Sequence, residues 1–200
     1  MIIPTVLEKD FKKVKEKIKL VEDYVKWVQL DIMDGVFVNN ETWNKPQRIN
    51  TKVKLEAHLM VQNPEKIIDD WLKIVDRIII HFESTKEVKK IIDKVHKKKK
   101  QIGLALNPET DIAAATPFLK DLDLVLIMTI QPGWGGQELK PWTLDKVKFL
   151  RKKWKGDIQV DGGVNNENIK KIRKAGANLI CVGTYIFSKK DIKKAIESLK

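Results

Sequence analysis

The chain has 200 residues, with 39 Lys and Arg against 27 Asp and Glu, and is 42% hydrophobic and 33% charged. That balance suits one globular domain with a real core and excludes a disordered chain, while no apolar run approaches the roughly 20 residues of a membrane span. The formal charge of +12 invites a nucleic-acid reading, but the lysines recur among acids along helical stretches, only Lys97 to Lys100 is an unbroken block, and no aromatic-interleaved basic stripe accompanies them.

The expectation is therefore a protein with no nucleic-acid and no membrane partner, whose positive field would draw in an anionic metabolite. The opening residues MIIPTVLEKDF lack the basic and long apolar regions of a signal peptide. The one cysteine, Cys181 in LICVG, has no internal disulfide partner. A reducing, cytoplasmic setting is expected.

Along the chain, short β-rich runs alternate with stretches of helical period. The first strand is read over Ile2–Val6 and the first helix over Phe11–Asp23. Strands follow at Val25–Ile32 and Val53–Met60, joined by a short crossover, Asn39 to Lys52, of weak helical pattern. A helix over Pro64–Val75, capped by Asn63, precedes a strand at Arg77–His81, and a helix over Lys86–Lys97 precedes a strand at Gln101–Leu106. The remaining strands are Leu122–Thr129, Ile158–Val160 and Leu179–Val182. The remaining helices are Leu144–Trp154, Glu167–Ala175, introduced by Asn165, and Lys190–Leu199, with Gly176 in a left-handed terminating position. Eight strands in alternation with helices on a chain of this length predict an α/β fold, a single (β/α)8 TIM barrel over residues 1–200.

In such a barrel the site forms at the C-terminal ends of the strands. Those ends carry Thr5, Asp31 and Asp34, His58, His81 and Glu83, Asn107, Gln131, Asp161, and Gly183 with Thr184. Asp31 ends the apolar run WVQLDIMDG, where a carboxylate costs several kcal/mol unless paired, hydrogen-bonded or on a metal; a turn acid is the bland alternative. His58 in EAHLM reads on its own as a satisfied core histidine. Three glycine clusters fall at successive strand ends: Gly133, Gly135 and Gly136 in QPGWGGQ, closed by Gln137; Gly162 and Gly163; and Gly183 beside Thr184. Together they offer backbone N–H groups around one anion, where these barrels often hold phosphate.

The segments IIPTVL, VQLDIMDGVFVNN, EAHLMVQNPE, GLALNPET, DLVLIMTIQPGWGGQ, IQVDGGVNNENI and AGANLICVGTYIF, in that order, resemble the ribulose-phosphate 3-epimerase family along nearly the whole chain. The resemblance implies metal-assisted 3-epimerisation of D-ribulose 5-phosphate to D-xylulose 5-phosphate. Asp31 and Asp161 would be the acid/base pair, and Met33, Met60 and Met128 would line the reacting carbon. It implies one divalent ion (Zn, Fe, Mn, Co or Mg) on Asp31, His58 and Asp161, and phosphate on Gly136, Gly162, Gly163, Gly183 and Thr184. Thr5, Gly133, Gly135 and Gln137 complete the expected substrate contacts, and a homo-oligomer is expected.

The chain departs from the family pattern where Gln29 replaces a metal-ligand histidine, a position whose amide oxygen is at best a weak neutral donor. Thr5 replaces a serine, and Val36 and Asn39 replace a histidine and a proline in a shortened loop. Two other readings stay open: a six-carbon ketose phosphate as substrate, which the sequence hardly separates from the five-carbon one, and a phosphosugar-binding barrel with lost or altered catalysis, which Gln29 motivates. His81 and Glu83 read as a polar layer under the site, His96 as a surface residue, and Cys181 as packing in the barrel wall.

Overall fold

A strand with both faces buried reads as a continuous apolar run, as LVLIM and LICV do here, whereas WVQLDIM, KLEAHLM and DIQVD interleave polar residues. In the computed structural model, which describes residues 1–200, the strands close into a parallel barrel in the order β1-β2-β3-β4-β5-β6-β7-β8. The strands are β1 Ile2–Val6, β2 Trp27–Met33, β3 Lys54–Met60, β4 Arg77–His81, β5 Gln101–Leu106, β6 Leu124–Met128, β7 Asp157–Asp161 and β8 Leu179–Val182. The helices are α1 Phe11–Val21, α2 Ile68–Trp71, α3 Val88–Lys97, α4 Thr143–Lys153, α5 Ile169–Ala175, α6 Thr184–Phe187 and α7 Ile192–Glu197. Predicted strand ends shift by no more than two residues, and β1, β4, β5 and β8 fall where expected.

The period of two sorts each strand. On β2, Val28, Leu30 and Ile32 face the helices in the large outer core, while Trp27 joins Ile3, Ile79, Leu124 and Leu126 inside the barrel. The inside is narrow: a Cβ on Gly103 would stand 2.7 Å from Leu124 Cδ1. Near the N-terminal end of the barrel, Arg77 Nη1 donates to Glu56 Oε2 at 2.6 Å, its guanidinium lies 4.1 Å over the Trp27 ring, and both charged side chains are buried. Burial pushes the Glu56 carboxyl up, and Arg77 and Gln159 oppose it.

The helical expectations need two corrections. Pro64–Val75 is a 3-10 turn, Pro64–Lys66, followed by the single turn α2, the two offset at Ile67 with φ −118. Asn63 does not cap it through its side chain; its backbone is left-handed at φ 55. After β5 the connection is a 3-10 helix, Ile112–Phe118, containing Pro117, which has no N–H to give an α-helix. Asn165 behaves as expected, its Oδ1 accepting from the Glu167 and Asn168 amides ahead of α5. Gly176 ends α5 at φ 116.

The crossover from β2 to β3 carries no helix at all. It is tied down instead. Trp43 stacks on Phe11 at 4.7 Å and meets Trp71 edge-on at 5.4 Å, closing the gap over the strands. Glu22, at the end of α1, accepts from Lys19 Nζ at 2.6 Å, from Thr51 Oγ1 at 2.7 Å and from the Lys52 amide at 3.2 Å.

The Lys19 and Thr51 hydrogen bonds, against a smaller opposing effect of burial, hold Glu22 down to about 2 from its ordinary 4.5. A depressed carboxylate contributes stability that is complete above its unfolded value and lost as pH falls through the folded one. Glu22→Gln is therefore expected to lower Tm at pH 7, with the gap from the parent closing between about pH 4.5 and pH 2; a gap independent of pH in thermal melts would show that the anchor does not depend on charge.

Candidate active site

Successive inward positions build the site. On β2 they are Gln29, Asp31 and Met33; on β3, in register beside them, Glu56, His58 and Met60. Met128 ends β6 opposite Asp161 at the end of β7. The closed barrel thus brings two carboxyls and an imidazole from distant parts of the chain to one floor.

Asp31, His58 and Asp161 each present a ligand atom within 4.8 Å of the others. His58 Nδ1 stands 3.3 Å from Asp31 Oδ1 and 3.5 Å from Asp161 Oδ2. The Gln29 amide lies among them. Its Nε2 donates to Asp31 Oδ1 at 2.8 Å and to Asp161 Oδ2 at 2.7 Å, and is 3.4 Å from His58 Nδ1. Its Oε1 accepts from Gln159 Nε2 at 2.9 Å and from the Cys181 thiol at 3.1 Å. As placed, Gln29 turns hydrogens rather than a ligand oxygen toward the acidic residues.

Burial raises Asp31 above the carboxylate range; the Asp161 charge adds to this, and His58 and Gln29 oppose it. Burial works against charge on His58, but hydrogen bonds and attraction from Asp161 and Asp31 prevail and lift it to about 9. The cluster therefore behaves as one titrating unit. Burial, together with the Asp161, Glu56 and Asp31 charges, pushes the Cys181 thiol well above its usual range, so it stays a neutral donor.

A cavity of about 500 Å³ opens above this floor. It is lined by Thr5, Asp31, Met33, His58, Met60, Met128, Gly133, Gly135, Gly136, Gln137, Asp161, Gly162, Gly163, Gly183 and Thr184, so every expected substrate and acid/base position meets in it. Gln29 lies beneath, fully buried. The glycine ends are closely fitted: a Cβ on Gly183 would stand 2.5 Å from Thr5 Oγ1.

Five strand-end residues stand elsewhere. Asp34 is a turn acid, accepting from the Val36, Phe37 and Gln62 amides. Gln131 is exposed, its carbonyl accepting from Gln137. Asn107 gives its amide to Glu83 Oε1 at 2.8 Å. His81 and Glu83 do not line the cavity and form a layer beside His58. His96 is on the surface against Asp123. Cys181 sits in the wall with its thiol turned inward.

Sequence reasoning missed Lys17, Phe187 and Trp134 in the lining, and Gln159 beneath it. Gln159 carried a signal, since it lies two residues before Asp161 and so on the same face of β7. Lys17 carried none; α1 brings it in, where it pairs with Glu8 at 2.7 Å.

Fold and floor together define a (β/α)8 barrel enzyme with paired carboxyls and an imidazole under a glycine-lined mouth. The family model described as "Ribulose-phosphate 3 epimerase family" matches residues 1–187. Curated relatives named ribulose-phosphate 3-epimerase include one from Schizosaccharomyces pombe, 36% identical over all of this chain and 92% of its own length. Another, from Bacillus subtilis, is 34% identical over all of this chain and 97% of its own. The chain belongs to the ribulose-phosphate 3-epimerase family and is an isomerase of the epimerase kind.

Solved structures agree on the fold. A tryptophan synthase α-subunit from Pyrococcus furiosus superposes with a TM-score of 0.76 at 15% identity, covering 99% of this chain and 96% of its own. A 3-hexulose-6-phosphate synthase from Salmonella typhimurium gives 0.74 at 13% identity, covering 99% and 95%. No helix is long and apolar enough to cross a membrane.

Two glycines in the mouth separate conformational from packing cost. Gly163 and Gly136 are both left-handed, at φ 66 and φ 81, but a Cβ on Gly163 would run into the backbone N of Leu139, whereas one on Gly136 meets nothing within 4 Å. Gly136→Ala is expected to lose about 1–2 kcal/mol, the left-handed penalty alone. Gly163→Ala should lose clearly more in urea unfolding, and equal losses would show that the 163 loop yields.

Proposed function

We propose that the protein epimerises D-ribulose 5-phosphate to D-xylulose 5-phosphate at C3, with Asp31 and Asp161 as the acid/base pair. The observation that carries this reading is the pair of carboxyls bridged through one amide nitrogen, at 2.8 and 2.7 Å, on the floor of a cavity walled by methionine and glycine. Inversion at a carbon beside a carbonyl requires a base on one face and an acid on the other. Two like carboxyls within 4.8 Å of one another favour one ionised and one protonated, which is the state such a transfer starts from. Burial and its neighbour's charge incline Asp31 to hold the proton.

Asp31, His58 and Asp161 are the residues that would hold a divalent cation: two carboxylate oxygens and an imidazole nitrogen lie within 4.8 Å of one another. Such an ion supplies Lewis-acid stabilisation of the charge that develops on the substrate oxygens. Met33, Met60 and Met128 border the floor with adaptable apolar surface that keeps water from the carbanion-like intermediate. Gly136, Gly162, Gly163, Gly183 and Thr184 would hold the phosphate at the far end through backbone N–H groups and a hydroxyl.

Gln29 favours a second reading. Its N–H groups already serve both carboxylates, so the barrel could bind a phosphosugar without turning it over. Exchange of the C3 proton into deuterated water separates the two: the epimerase exchanges it, whereas a binding barrel takes up the ester and leaves it. The ratio of kcat/KM on ribulose 5-phosphate and allulose 6-phosphate decides the chain length of the sugar.

Asp31→Asn and Asp161→Asn are each expected to cut turnover by at least ~10²–10⁴, with binding of the phosphate ester retained; either variant keeping parental turnover would sink the assignment. Chelation should abolish activity, and restoring magnesium, manganese, iron(II), cobalt or zinc one at a time should return it with at least one ion. Full activity after exhaustive chelation would show that the three ligands serve only as proton carriers.

A further inference from the structure

Behind His58 lie a buried His81 and a half-buried Glu83, which neither reach the cavity nor belong to the acid/base pair. His58 Nε2 faces His81 Nε2 at 2.8 Å, with the two ring planes only 18° apart. His81 Nδ1 in turn faces Glu83 Oε2 at 3.4 Å, and neither of those atoms has another hydrogen-bond partner. Glu83 is oriented by its other oxygen, which accepts from the Asn107 amide at 2.8 Å and from the Thr110 hydroxyl. Both histidines are fully buried, and Phe37 covers His81 at 4.9 Å, so water does not replace these contacts.

We propose that His81 and Glu83 are positioning residues that keep a proton on His58 Nε2, so that Nδ1 is the nitrogen left to bind a cation at the acidic floor. The direction follows from a count of protons. Two imidazole nitrogens at hydrogen-bond distance need one donor and one acceptor. If His81 Nε2 donated, His58 would carry its proton on Nδ1, the nitrogen facing Asp31 and Asp161. His81 Nδ1 would then set a lone pair against a carboxylate oxygen. With the chain reversed, His58 Nε2–H donates to His81 Nε2, and His81 Nδ1–H donates to Glu83. Every group is then matched, and the negative end of the chain fixes its direction. A ligating imidazole is commonly oriented in this way through its other nitrogen.

This inference deepens the proposed function and rests on its cation site, so the test reads cation binding directly. Cobalt(II) is titrated into metal-free protein and followed by calorimetry and by its visible d–d bands, for the parent, His81→Leu, His81→Gln and Glu83→Gln. His81→Leu is expected to weaken cobalt binding by about 10–100-fold and to shift the bands. His81→Gln should recover most of the affinity, because its amide oxygen accepts from His58 and its NH2 donates to Glu83.

Glu83→Gln changes little in shape but presents an N–H to His81. That reverses the chain, and it should weaken binding by at least tenfold. Should His81→Leu fail to fold, Glu83→Gln carries the test alone. Parental affinity in Glu83→Gln, or an equal loss in His81→Leu and His81→Gln, would overturn the positioning role while leaving the cation site standing. A folded parent that binds no cobalt would overturn the cation site and this role with it.

Discussion

A buried carboxyl, Asp31, within reach of a half-buried one, Asp161, is the constraint that the rest of this barrel answers. Burying a lone carboxylate costs several kcal/mol, and repulsion from its neighbour adds to that. The protein meets the cost with polar side chains rather than with solvent: Gln29 Nε2 donates to both, and His58 Nδ1 stands 3.3 and 3.5 Å away. Each of the two is held from behind. Gln29 is fixed through its oxygen by Gln159 and Cys181, and Gln159 also donates to Glu56 at 2.7 Å. Glu56 closes on Arg77, so a polar column runs from the floor of the site to the opposite end of the barrel.

That column explains why charged groups occupy a barrel interior that apolar side chains could fill. Removing one partner of a buried ion pair costs about 3–5 kcal/mol, because the other charge is left uncompensated. Glu56 and Arg77 therefore fix Gln159, and through it the face that Gln29 presents to Asp31 and Asp161. The mouth works on the opposite principle. It offers backbone and hydroxyl groups, with Lys17 the one cationic side chain in the lining, and Glu8 occupies that charge at 2.7 Å. An anionic group is thus admitted at the rim and kept from the acidic floor.

What the sequence disclosed follows from what is local. Strand ends marked Thr5, Asp31, His58, Asp161 and Gly183 as candidates, whereas Gln29 and the three methionines came only from the resemblance to the family. The pairing of His58 with His81 depends on the register of β3 with β4 and on side-chain reach, and no local pattern specifies it. Pro64–Val75 has helical apolar spacing but departs from the expected helix because the backbone at Ile67, φ −118, divides it into two short turns. The β2–β3 crossover has a weak pattern because Trp43, packed on Phe11 and Trp71, covers the strands where a helix would lie.

Gln29 shows why residue identity alone does not settle chemistry at this floor. An amide has a donor end and an acceptor end, and its neighbours choose which faces the carboxylates. Here Gln159 Nε2 and the Cys181 thiol both point at Oε1, which commits Nε2 to the acidic side. Coordination through Oε1 would require the amide to turn, leaving its NH2 against the NH2 of Gln159. Only a turn of Gln159 as well would relieve that, bringing round its own Oε1, which is buried and has no partner. That second turn would in turn take the hydrogen bond away from Glu56. A cation arriving at Asp31, His58 and Asp161 therefore competes with hydrogen bonds already made, and its affinity is set as much by Gln159 and Glu56, below the site, as by the three residues that would hold it.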